Sequence, residues 1–260
     1  MNQDEILRAA LAQSALDCSC EPEDFFKKEN VCFESKPCGG ARKYLTLPHV
    51  LNLVSYGTNV VAAGKKELLP SIKAFMDGVQ SVQRCFETPY IYLLNRLLKE
   101  ENSEICFMAE YFLPDFARVF AYDGKCPFAL KTLAQEDFQT LYTPEWSNAL
   151  CEKRKELDML GVGAFDGEKL IGLAACSADC DSMWQIGVDV LPEYRRMGVA
   201  SAITNRLARE IFARGRVPFY CAAWSNVKSA RNALKSGFLP AWVEATAKPI
   251  AYAEELMKNG

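Results

Sequence analysis

The residues best suited to chemistry lie in one run, Val190-Leu191-Pro192-Glu193-Tyr194-Arg195-Arg196-Met197-Gly198-Val199-Ala200-Ser201. It passes from a strand-like segment directly into an amphipathic helical one. The first amides of a helix have no partner inside the helix, and the helix dipole adds partial positive charge at that end. Gly198 lets a ligand approach the backbone closely, and Ala200 adds little bulk. A helix start of this kind binds anions, pyrophosphate among them. Charge-assisted hydrogen bonds contribute about 1.5–3 kcal/mol each, so a few amides hold a diphosphate without a phosphate-binding lysine. A plain strand–helix crossover with an idle helix start would share the same local pattern.

The run resembles the acyl-CoA-binding motif of the GNAT superfamily of N-acetyltransferases, Arg/Gln-x-x-Gly-x-Gly/Ala, which Arg195, Gly198 and Ala200 match. The features around it agree: Val190 and Pro192 close the preceding strand, Trp224-Ser225-Asn226-Val227-Lys228-Ser229 opens a second helix, and Gly237-Phe238 ends that helix. The resemblance covers about residues 128–248. More loosely, the whole chain is similar to larger GNAT proteins that carry an extra N-terminal α/β domain.

The resemblance implies an α/β (α+β) fold with a mixed central sheet, flanking helices and a smaller N-terminal α/β domain. It implies acetyl-CoA as cosubstrate, no metal, and direct attack by an amine in a ternary complex. Val188 and Val190 would offer main-chain groups to the pantetheine arm and the thioester carbonyl. Arg195, Arg196, Met197, Gly198, Val199, Ala200 and Ser201 would cradle the pyrophosphate through their amides, and Asn226 and Ser229 would approach the pantetheine or the phosphates. The family's usual acid, a Tyr seven residues after the matched Asn, is replaced by Ala233. That replacement keeps a second function open, a non-catalytic acyl-CoA-binding regulatory module.

Amide formation requires a base for an ammonium whose ordinary pKa is about 10.4, and often an acid for the departing thiolate. Asp189 shares one strand face with Gln185 by the two-residue period and is the candidate base, with a structural bond to a nearby loop as the competing role. Tyr220, on the strand facing the cofactor gap, is a further candidate catalytic residue, with core packing as the competing role. Glu193 reads as a solvated turn residue. The single histidine, His49, reads as structural. Cys18, Cys20, Cys32 and Cys38 gather near the N-terminus without the Cys-x-x-Cys spacing of common zinc modules, so ordinary thiols are expected there.

These residues need a scaffold, and the patterning supplies one. Strands are predicted at 60–63, 105–112, 129–133, 160–165, 169–176, 184–191, 217–222 and 241–246, and helices at 68–76, 90–98, 136–142, 196–214 and 226–236. The 196–214 helix carries Val199, Ile203, Leu207 and Ile211 on one face, with Asn205, Arg206, Arg209 and Arg214 opposite. The turn-rich stretch Tyr122–Pro127 marks a seam, which divides the chain into 1–125, an N-terminal domain without an assigned role, and 126–260, the acetyltransferase domain.

Composition narrows the partners. The 260-residue chain is 50% hydrophobic, with 30 Lys plus Arg against 33 Asp plus Glu, so nothing in its charge points to nucleic acid. Neither a secretory leader nor a run of membrane-spanning length is visible, and eleven scattered cysteines fit a reducing compartment, so a cytoplasmic protein is expected. The expected partner is a small-molecule or peptide amine, with no nucleic acid or membrane, and a homodimer is among the states allowed.

Overall fold

The computed structural model describes residues 1–259. In chain order the elements are α1 (Gln3–Cys18), β1 (Val31–Glu34), β2 (Leu51–Ser55), β3 (Val61–Gly64), α2 (Leu69–Asp77), α3 (Thr88–Leu98), β4 (Ser103–Pro114) and α4 (Phe116–Ala121). They continue with β5 (Ala129–Ala134), β6 (Asp158–Asp166), β7 (Lys169–Ser177), β8 (Met183–Val190), α5 (Val199–Ala213), β9 (Val217–Ala223), α6 (Val227–Lys235), β10 (Phe238–Pro249) and α7 (Ile250–Asn259). Two compact units result, one of residues 1–9 and 112–240, the other of 10–111 and 241–260. The turn-rich stretch at 122–127 lies inside the first unit, after α4.

In the unit that holds the Arg195–Ser201 run, β5, β6, β7 and β8 form an antiparallel meander, and β9 adds parallel to β8 after the α5 crossover. The β6–β7 turn is tight: Asp166 pairs with Lys169 across Gly167, whose φ of 60° suits the two-residue loop. Helix α5 buries Val199, Ile203, Leu207 and Ile211 against Leu160, Val162, Ala174 and Ile186 of the sheet. A Cβ on Gly172 would lie 2.7 Å from the Val199 side chain, so the helix sits as close as a bare strand backbone permits. On the opposite sheet face, Phe138, Trp146, Ala149 and Leu150 cover Leu173 and Ala175.

The other unit orders its strands β1, β3, β2, β10 and β4, with β1 and β3 parallel and β2 antiparallel to both β3 and β10. Leu51 and Leu53 of β2, Ala62 of β3, and Ala245 of β10 form one core with Ile72 and Met76 of α2 and Leu94 and Leu98 of α3. A buried ionic group also lies in this unit: the Arg42 guanidinium donates to Asp17 at 2.5 Å and to Glu244 at 2.6 Å.

The expected fold class is the one found, with four local corrections. The predicted 136–142 helix is only the 3-10 turn Gln135–Phe138. Helix α5 starts at Val199 rather than 196, because Arg196 and Gly198 adopt left-handed φ values of 68° and 82° that no continuing α-helix accepts. Asn205 does not face solvent with the arginines: it is buried, and its amide donates to the carbonyls of Val119 and Ser236, tying α5 to the ends of α4 and α6. Arg209 joins it, its Nε donating to the same Val119 carbonyl. Among the described residues no three His, Cys, Asp or Glu side chains converge as ligands of a metal would. No described helix is long and apolar enough to cross a membrane.

Candidate functional site

Strand β8 is the backbone of the site. Its parallel ladder with β9 runs from Met183–Val217 to Ile186–Tyr220 and stops there, although β8 continues to Val190 and β9 to Ala223. On its other edge β8 stays paired with β7 through Val190–Gly172. Beyond Ile186 the two parallel strands therefore diverge and leave a gap open at their C-terminal ends. The Leu191 amide donates to Ile171 of β7, so by strand alternation the main-chain groups of Val188 and Val190 point to the β9 side, into the gap. The main-chain groups of Val188 and Val190 thus face the gap, and the Val190 carbonyl there accepts from Arg195 Nε at 3.1 Å.

That bond folds the Arg195 side chain back and turns the chain toward α5. The Arg195 amide is itself used, donating to the Pro192 carbonyl. Among the described residues, the amides of Arg196, Met197, Gly198, Val199, Ala200 and Ser201 donate to no acceptor in the protein. Six consecutive donors and the positive end of a four-turn helix thus converge beside the gap, with no acidic residue in the first turn. Two left-handed residues in three, Arg196 and Gly198, give the loop its curvature. Gly198 is required for a second reason, since a Cβ there would stand 2.4 Å from the Lys125 carbonyl oxygen. The 122–125 segment flanks the loop and is pinned by Tyr122 Oη donating to Ser201 Oγ at 3.0 Å.

The second helix closes the other side. Asn226 caps α6 by accepting from the Ser229 amide at 3.1 Å, and Ser229 Oγ shares a 2.9 Å hydrogen bond with the Tyr220 hydroxyl. Tyr220 is the last β9 residue paired with β8, so its phenol lies where the gap begins. Its ring packs edge-on to Phe112, and burial pushes the phenol pKa up, so the group stays protonated and able to donate. Ala233 is fully buried against this core.

Asp189 does not point into an open cleft. Its Oδ2 accepts from the amides of Asn148 and Ala149 at 2.8 and 2.9 Å, and its Oδ1 from the Asn148 side chain at 2.7 Å. With both oxygens engaged, Asp189 is the anchor of the 144–150 loop, the competing role its strand position allowed. The same loop presses on Gly187, where a Cβ would fall 1.9 Å from the Asn148 carbonyl oxygen. Glu193 pairs with Lys169 in solvent. Gln185 shares this face with Asp189 as its strand period implies, and two further polar residues that sequence reasoning passed over, Asp158 and Ser177, join it only through strand register.

A family model described as GNAT acetyltransferase matches residues 93–241, more than half of the chain. The chain belongs to this family. The match begins well before residue 128 and takes in β4 and α4, which the motif-based resemblance left out. No curated protein sequence matches. Among solved structures, the GNAT chain is similar to a GCN5-related N-acetyltransferase-like protein from Streptococcus suis 89/1591, at 20% identity and a TM-score of 0.44, over 62% of this chain and 68% of that one. It is also similar to a GCN5-related N-acetyltransferase from Kribbella flavida, at 15% identity and a TM-score of 0.49, over 60% of this chain and 63% of that one, less than two thirds of the relative's length. The aminoglycoside N-acetyltransferase AAC(6')-Iy, solved in complex with CoA, is 19% identical with a TM-score of 0.35, over 45% of this chain and 91% of that one.

Proposed function

We propose that this GNAT protein transfers an acetyl group from acetyl-CoA to an amine on a small molecule or peptide, by direct attack in a ternary complex. The observation that carries the reading is the pairing of the β8–β9 gap with the free amides of Arg196–Ser201 at its mouth. A diphosphate bound at those amides directs a pantetheine arm along β8, past the main-chain groups of Val190 and Val188. Bound acetyl-CoA supplies the activated carbonyl. The strand edge holds the arm extended, and the buried Tyr220 hydroxyl, positioned by Ser229, gives a proton to the departing sulfur. Asp189 holds the loop that walls the acceptor side and takes no proton itself. Localisation in the cytoplasm and action on soluble amines belong to the same proposal.

Ala233 favours a second reading, a CoA-binding module without turnover, because the family's usual phenol is missing there. Calorimetry with CoA and release of free thiol over a panel of amines separate the two: binding with transfer supports the enzyme, and binding without transfer to any amine supports the module. The diphosphate site is tested by Ala200→Glu, which sets a carboxylate at the second helical position without straining the backbone. The expected loss of CoA affinity is at least about 100-fold, the equivalent of one or two charge-assisted hydrogen bonds. Unchanged affinity would overturn the site.

A further inference from the structure

Three polar side chains stand in a row across the sheet face that carries the 144–150 loop. Asp158 of β6 pairs in register with Ser177 of β7, and Ser177 pairs with Gln185 of β8, so neighbours in the row lie about 5 Å apart. An irregularity between Asp158 and Leu160 turns Asp158 onto this face, whereas Leu160 points to the α5 core. The row ends one residue before Ile186–Tyr220, the last pair before the gap.

Two atoms of the row are unusual. Gln185 Oε1 and Ser177 Oγ are both buried and have no hydrogen-bond partner within the protein. Buried oxygens without partners are costly, and native proteins retain them where water or a ligand completes the bonding. At the far end, Asp158 Oδ2 accepts from the Cys151 amide at 2.9 Å and from the Tyr142 hydroxyl at 3.3 Å. Tyr142 is only half-buried, so this end communicates with solvent.

We propose that Gln185, Ser177 and Asp158 form a water-completed proton relay, running from the acceptor amine at the β8–β9 gap to the Asp158 carboxylate. The inference rests on the acetyltransfer reading above. The amine arrives as R–NH3+ and gives one proton to water held on Gln185 Oε1. A proton passes through Ser177 Oγ to Asp158 and leaves to solvent at Tyr142. The neutral nitrogen forms the C–N bond, the C–S bond breaks, and the nitrogen's second proton replaces the one Tyr220 gives to the thiolate. Burial lifts the Asp158 carboxyl to about 6, opposed by the Cys151 amide, Tyr142 and Arg154 and reinforced by Asp179. Cys176, on the adjoining strand β7, has its thiol pushed far up by burial and stays neutral. Asp158 is thus ionised at neutral pH yet able to hold a proton in transit.

The test is the pH profile of kcat/KM for the best amine, with CoA affinity measured on the same samples. Wild type is expected to show an ascending limb near pH 6. Asp158→Asn should lower kcat about 100-fold and abolish that limb, with CoA affinity within twofold, and Asp158→Glu should restore part of both. Ser177→Ala and Gln185→Met each remove one unpartnered oxygen without threatening the fold, and each should lower kcat about tenfold. Full rate and an unchanged profile in those two variants would overturn the relay while leaving the acetyltransferase standing. A wild type that binds no CoA, or transfers to no amine, would overturn the acetyltransferase and the relay with it.

Discussion

Asn148 grips Asp189 twice: its main-chain N–H donates to Oδ2 at 2.8 Å, and its side-chain amide donates to Oδ1 at 2.7 Å. The Ala149 amide adds a third bond to the same carboxylate. A single strand residue therefore sets the position of a loop that has little regular structure of its own. Asp189→Ala should release it. Part of the group is exposed, so the expected loss is about 1–3 kcal/mol, below the sum of three charge-assisted bonds. The KM for the amine should rise several-fold with CoA affinity unchanged. Denaturant melts and steady-state kinetics check both, and a KM that does not move would show that the loop takes no part in acceptor binding.

Arg42 holds together the Asp17 and Glu244 carboxylates, all three side chains being almost fully buried. Tyr44 and the Trp242 indole N–H complete the group, the latter donating to Glu244 at 2.8 Å. Removing only the cation strands two buried carboxylates. Arg42→Met should cost about 3–5 kcal/mol, whereas the triple change with Asp17→Asn and Glu244→Gln should recover most of it. Urea denaturation of the single and triple variants measures the difference. Equal losses in both would show that packing of the Arg42 stem dominates its charge.

The loop with free amides at the start of α5 was legible because it is local: Arg195, Gly198 and Ala200 sit within six residues, and the helix they open has a clear apolar stripe. The strand run 158–190 was legible for the same reason, since hydrophobic alternation and the Asp166–Lys169 turn are short-range signals. What sequence could not show depends on register. Asp158, Ser177 and Gln185 are spaced 19 and 8 residues apart in the chain and meet only once three strands align. Asn205 looked like a surface polar residue because its two carbonyl partners belong to other helices. The 136–142 segment has helical periodicity, but its predicted span lasts two turns, too short to stand without help.

His49 is buried with its Nε2 unpartnered. Burial first, then Lys248 and Arg42, lowers its pKa from 6.5 to about 4, with Asp17 opposing. A pKa depressed on folding means that the unfolded chain takes up the proton first. Stability should be constant above about pH 6.5 and fall as pH drops toward 4, by about 2–3 kcal/mol from this group. His49→Gln should flatten that part of the profile. Thermal melts between pH 4 and 7.5 decide it, and an unchanged slope in the variant would assign the acid sensitivity elsewhere.

Asp158 should act in the opposite sense over nearly the same range. Its pKa rises from 3.8 to about 6, so the folded chain binds the proton more tightly than the unfolded one. Its stabilising contribution is complete below about pH 4 and is lost as pH rises through 6. Asp158→Asn keeps an oxygen for the Cys151 amide and removes the buried charge. The variant should match wild type near pH 4 and melt several degrees higher at pH 8, although slower in catalysis. A carboxylate that burial destabilises at working pH fits a proton-handling role. If the variant melts below wild type at pH 8, the Tyr142 and Cys151 hydrogen bonds outweigh the cost of burying the charge, and Asp158 is a structural anion.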